Sequence, residues 1–120
     1  MNDSEQQYLR DLLTYLVDVE TFTVNGQDSF LRDRKTQFAV IRAYEVIGEI
    51  IKRLPDGLLA SQPQMDWRRL VRYRDFLAHN YEKIDLNYVW AAVEDLPNLR
   101  AAVEAMLADL GDAGDEETES

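Results

Sequence analysis

The chain has 120 residues, 46% of them hydrophobic and 30% charged, no cysteine, and a formal net charge of −10 from 13 basic and 23 acidic side chains. That size suits one domain with its own core. A disulfide framework is excluded, and no apolar run approaches the ~20 residues needed to span a bilayer. The polar, acidic start Met1-Asn2-Asp3-Ser4-Glu5 does not read as a secretory signal, so a cytoplasmic location is expected.

Hydrophobic spacing is helical along nearly the whole chain, which predicts an all-α fold. Leu9, Leu12, Leu13, Leu16 and Val17 define a first amphipathic helix from about Ser4 to Thr21, with Ser4 available as N-cap. Asn25-Gly26 marks a turn. A second helix runs from about Asp33 to Leu54, stopped by Pro55-Asp56-Gly57. Its apolar residues, from Phe38 through Ile51, surround most of the axis, so it is either central or buries a second face against another subunit. Leu58 to Gln64 reads as a loop or one short turn closed by Pro63. Asp66 then caps a third helix, and Asp85 a fourth that runs from about Leu86 to Asp95. Pro97 begins a fifth helix or kinks a continuous one, and Gly111 ends it. Short connections favour an up-and-down antiparallel bundle of four to five helices over residues 1–110.

Charge is unevenly distributed. Residues 111–120 carry Asp112, Asp115, Glu116, Glu117 and Glu119 without a basic residue or a large apolar one, which predicts a disordered acidic tail. In contrast, Arg68, Arg69, Arg72 and Arg74 crowd the third helix. The first three are either a solvated helix face or contacts to phosphate, so the overall acidity does not exclude an RNA partner.

The only histidine, His79, lies in Arg74-Asp75-Phe76-Leu77-Ala78-His79-Asn80-Tyr81. Imidazole is the side chain suited to proton transfer near neutral pH, and an arginine nearby supplies a permanent cation for an anion such as a phosphodiester. On an ideal helix Arg74 falls within the apolar stripe of Trp67, Leu70, Val71 and Leu77. A guanidinium there needs a partner or a cleft: either a structural salt bridge to Glu45 or Glu49, or a functional position. His79 is about 140° away around the axis, so the two converge only at a frayed helix end or across a symmetry axis. Asp75 shares a face with His79, where its carboxylate could accept the imidazole N–H; it could equally pair with Arg72. His79 itself could be a hydrogen-bonded core histidine, and Tyr81 a half-buried ring closing the bundle. A lone histidine among scattered carboxylates offers no metal-ligand spacing, and no cofactor is expected.

The arrangement of arginine, four residues, histidine, one residue and tyrosine resembles the signature of the HepT-like toxins of the HEPN superfamily of helical ribonucleases. The segment Asp33 to Glu49 resembles that family's second helix, and Trp67, Ile84-Asp85 and Val89-Trp90 fit its flanks. The resemblance covers the chain up to Leu110.

It implies a HEPN-like bundle that forms a homodimer, or a higher oligomer built from it, with two copies of the motif meeting in one composite cleft. It further implies a metal-independent endoribonuclease toxin of a toxin-antitoxin pair, with Arg74 and His79 catalytic; on the helical spacing above, Asp75 is then the supporting residue and Arg68, Arg69 and Arg72 are the candidates for RNA binding. In the family a minimal nucleotidyltransferase antitoxin, MntA-like, attaches AMP to the motif tyrosine, here Tyr81. The alternative is a non-catalytic helical dimer that binds a nucleotide or scaffolds a partner nucleotidyltransferase.

Overall fold

A computed structural model describes residues 3–80 and 83–119, with side-chain surroundings for 4–80 and 83–111. Among the described residues it contains seven helices and no strand: α1 (Asp3–Phe22), α2 (Gln27–Arg32), α3 (Arg34–Arg53), α4 (Asp56–Ala60), α5 (Trp67–His79), α6 (Leu86–Glu94) and α7 (Leu96–Glu119). The all-α expectation holds. The four long helices, α1, α3, α5 and α7, are the expected bundle; α2 and α4 are short turns of helix that pattern reading treats as connections.

Of the two positions open to the second helix, α3 occupies the central one. It packs against α1 on one side and α5 on the other, and α1 also packs against α7. Two apolar faces are therefore needed on α3, and its sequence supplies them: Val40, Ala43, Tyr44, Ile47, Ile50 and Ile51 are all buried. Antiparallel pairing of α1 with α7 is fixed at both ends, where Gln6 Nε2 donates to the Leu110 carbonyl at 3.2 Å and Arg100 pairs with Glu20.

Local chemistry accounts for most helix boundaries. The carboxylates of Asp33, Asp66 and Asp85 accept from the backbone N–H of Lys35, Arg69 and Asn87 and so cap α3, α5 and α6. The hydroxyl of Thr36 also donates to Asp33, which holds that carboxyl below its ordinary range. Gly26 adopts φ 90°, a conformation costly for any residue with a Cβ, and so the chain turns from α1 into α2. Pro97 sits in the first turn of α7, where its missing N–H costs nothing.

Three expectations are corrected. Ser4 is inside α1 rather than its N-cap, because the helix already includes Asp3. The core stripe of α1 is Leu9, Leu12, Leu16 and Val19; Leu13 is half-buried and Val17 is 38% exposed, since period-3.6 drift carries the stripe past them. Gly111 does not stop α7, which is helical to Glu119. Without the left-handed conformation of a terminating glycine, Gly111 costs the helix only about 1 kcal/mol relative to alanine. Of residues 112–119 only the helical path is described.

Candidate active site

The site is built on α5, and α5 is positioned from its first residue. Trp67 is buried and its indole N–H donates to the carbonyls of Leu59 and Gln62, at 2.9 and 3.2 Å, tying the helix start to α4 and the turn after it. At the other end Asn80 closes the helix: its backbone N–H and its side-chain amide both donate to the Phe76 carbonyl. Between these anchors Tyr73 and Leu77 face the core, whereas Arg68, Arg69 and Arg72 are exposed.

Arg74 points toward α3, as the stripe geometry requires. Its stem lies directly over Gly48, where an added Cβ would collide with the arginine's Cβ and lie 2.8 Å from its Cγ. Only glycine lets the two helices approach this closely. The side chain is 29% exposed and its guanidinium reaches two carboxylates: Nη1 donates to Asp75 Oδ1 at 2.9 Å, and Nη2 lies 3.3 Å from Glu49 Oε2. The Asp75 hydrogen bond foremost, and then the charge of Glu49, push its pKa up, so the cation is permanent. The salt-bridge partner is thus Glu49. Glu45 pairs with Arg42 instead, at 3.3 Å. Of the five guanidinium N–H groups one donates a hydrogen bond, to Asp75, while Glu49 is held as an ion pair; Nε is buried without a partner among the described residues.

His79 is the last residue of α5 and is exposed, so it is not a core histidine. Its Nδ1 lies 2.7 Å from the backbone carbonyl of Asp75. A carbonyl can only accept, so this contact requires the proton on Nδ1 and leaves the Nε2 lone pair of the neutral ring free. The expectation that the Asp75 carboxylate orients the imidazole is corrected: that carboxylate is taken by Arg74, and it is not paired with Arg72 either. Asp75 nevertheless supports both residues, Arg74 through its side chain and His79 through its main chain. Arg74 and His79 do not hydrogen-bond each other, in keeping with their different directions on the helix.

Arg68, Arg69 and Arg72 form no ion pair with any described residue. Tyr81 lies outside the described residues. Among those residues no group of three or more histidines and carboxylates could hold a metal ion, and no helix is long and apolar enough to cross a membrane. Two contributors escape a pattern search, Gly48 and Asn80. The signal for Gly48 is present, since a glycine in the middle of an apolar helix is unfavourable unless another backbone or side chain needs the space.

The model of the family described as "Ribonuclease HepT-like" matches residues 12–106, which include all of α3, α5 and α6 and most of the core. The chain belongs to the ribonuclease HepT-like family. A Thermococcus cleftensis protein named "Probable ribonuclease HepT" is 40% identical over 88% of this chain and 98% of its own length. Two Methanocaldococcus jannaschii proteins whose names make them candidate RNases are 38% and 30% identical, each over 86% of this chain and 87% of the relative. No solved structure gives a significant match. The resemblance read from the arginine, histidine and tyrosine spacing is therefore the family itself, and of that spacing Arg74 and His79 lie on α5.

Proposed function

We propose that the protein is an endoribonuclease that cleaves RNA by attack of the ribose 2'-hydroxyl, with Arg74 and His79 as its catalytic residues. The observation that carries this reading is the 2.7 Å contact of His79 Nδ1 with the Asp75 carbonyl: an oxygen that can only accept holds the proton on Nδ1, so that in the neutral ring Nε2 is the proton acceptor. Nε2 takes the 2'-hydroxyl proton, the 2'-oxygen bonds to phosphorus, and the bond from phosphorus to the 5'-oxygen breaks. The leaving 5'-oxygen takes a proton from a second His79 or from water, giving a 2',3'-cyclic phosphate and a 5'-hydroxyl. Arg74, with N–H groups left over after Glu49 and Asp75 are served, stabilises the phosphoryl oxygens.

One chain holds one histidine, and its arginine and histidine face different ways. A homodimer in which two α5 helices meet answers both points, because each phosphodiester then finds Arg74 and His79 of either copy. Arg68 and Arg72 are one helical turn apart, about 6 Å, on the face that leads to His79, a spacing suited to successive phosphates.

Within the same proposal the protein is the toxin of a toxin-antitoxin pair, active in the cytoplasm and needing no metal. A cognate nucleotidyltransferase neutralises it by attaching AMP to Tyr81, two residues beyond His79, so that the added phosphates occupy the cleft and compete for arginine. Purified protein in excess chelator should cleave RNA, and Arg74→Ala and His79→Ala should each abolish cleavage; cleavage undiminished in both variants removes the assignment. Incubation with the partner enzyme and ATP should add mass in steps of about 329 Da, lost in Tyr81→Phe. The Arg74–Glu49 ion pair also suits a second reading, a non-catalytic dimer that serves as scaffold or substrate for that enzyme. Wild-type protein that is modified but cleaves no RNA would favour it.

A further inference from the structure

Four aromatic rings run in series from the core to the surface beside the site. Tyr44 and Tyr73 are buried and meet edge to face at 5.6 Å; Tyr73 meets Tyr88 at 5.1 Å, and Tyr88 meets Phe76 at 5.9 Å. The outer two are 44% and 42% exposed. Large exposed rings are costly to hydrate, but here Tyr88 rests against the buried ring of Tyr73, and Phe76 rests against Tyr88. On α5, Phe76 is four residues after Arg72 and three before His79, so it is the surface neighbour of both. Behind Tyr88 a cleft of about 750 Å³ opens between α5, α6 and α7, and its wall includes Arg69, Tyr73, Tyr88 and Asn98, with the carboxylates of Asp66 and Asp95 also lining it. Arg69 and Arg72 have no ion pair with a described residue.

We propose that Phe76 and Tyr88, flanked by the guanidinium groups of Arg69 and Arg72, form a stacking platform for an unstacked base of single-stranded RNA next to the phosphodiester at His79, with the cleft behind Tyr88 receiving that base. The inference rests on the ribonuclease reading and adds the form of its substrate. A flat aromatic surface binds the face of any base once the base is free of its neighbours, and arginines on either side hold the flanking phosphates. A base locked in a duplex cannot reach the rings. The cleft volume is that of a site for a molecule of nucleotide size rather than for a water or an ion. The charge of the flanking groups favours a polyanion over an apolar protein segment as occupant. Cleavage is therefore directed to unpaired regions, with little discrimination among bases, because stacking reads the ring face and not its edge.

The test uses a 2'-O-methyl RNA oligonucleotide, which cannot undergo 2'-oxygen attack, so binding is read apart from catalysis. Wild-type protein should bind the single strand more tightly than the same sequence in a duplex. Tyr88→Ala and Phe76→Ala should each weaken single-strand binding about tenfold and leave duplex binding unchanged, whereas Tyr88→Phe should bind as wild type. Arg69→Ala should weaken binding and lower its salt dependence by about one counterion. Equal binding of single strand and duplex, or unaltered binding by both alanine variants, overturns the platform. So does a change in oligomeric state in Tyr88→Ala, measured by sedimentation, because the rings would then be covered by another copy of the chain. Loss of the cleavage assignment with the binding pattern intact would overturn only the ribonuclease reading.

Discussion

Gly48 of α3 and Arg74 of α5 occupy space that a single methyl group would make incompatible. The candidate catalytic arginine is thus placed by a glycine 26 positions away in sequence, and the backbone carbonyl of Leu70 lies 3.3 Å from the same point, so the helix as well as the side chain is in the way. An arginine stem can rotate, but a helix backbone cannot yield locally.

Gly48→Ala should therefore destabilise the fold although alanine is the better helix former. The propensity gain is about 1 kcal/mol, and overpacking of a close helix contact costs about 1–3 kcal/mol. Urea unfolding should show a net loss, accompanied by reduced RNA cleavage as Arg74 is displaced. Greater stability in the variant would mean that α3 and α5 do not approach as described.

Glu49→Gln separates the structural role of the ion pair from its positioning role. Both side chains of the pair are partly exposed, so the melting temperature should barely change. RNA cleavage should fall several-fold, with most of the effect on kcat, because Arg74 loses one of the two groups that aim it. A large fall in melting temperature with unchanged kcat would assign the pair to stability alone.

The tautomer of His79 is directly measurable. Nitrogen-15 spectra of the neutral imidazole should show Nδ1 protonated and Nε2 bare, the arrangement required by the Asp75 carbonyl. The reverse pattern, with Nε2 protonated, would contradict the hydrogen bond and the general-base assignment together. Since the ring is exposed, His79→Ala should leave stability nearly unchanged.

Burial, foremost, raises the pKa values of Tyr44 and Tyr73 well above the ordinary 10.0. A group whose pKa is higher in the folded state contributes stability below its unfolded pKa and loses it as pH rises further. The folded state should thus weaken steadily above pH 10, where the unfolded tyrosines ionise and the folded ones do not. Neither hydroxyl has a hydrogen-bond partner among the described residues. Tyr44→Phe and Tyr73→Phe should therefore be neutral or stabilising by about 1 kcal/mol at pH 7 and should flatten the alkaline decline. Stability of the double variant that still falls with the wild-type slope would place the alkaline sensitivity elsewhere.

Much of this site could be read from the chain. The spacing of Leu70, Arg74 and Leu77 placed a charge on a buried stripe, and that charge has the partner such a position demands, Glu49. The same wheel geometry put His79 on a different face from Arg74, as observed. The caps Asp66 and Asp85 were legible because capping depends on residues two or three positions away. What failed was the role of the Asp75 carboxylate. Helical spacing made both Arg72 and His79 reachable, but the stronger attraction of Arg74, adjacent in sequence and directed inward, takes it.

The sequence by itself determined the all-α class, the four long helices, the two apolar faces of α3 and the family, because periodicity, capping and motif spacing are properties of short segments. Only the tertiary structure decided that Glu49 rather than Glu45 meets Arg74, that Gly48 makes room for it, and that Tyr88 of α6 comes to rest against Phe76 of α5 beside an open cleft. Those relationships join residues whose separation along the chain carries no geometric information until α3, α5, α6 and α7 are packed.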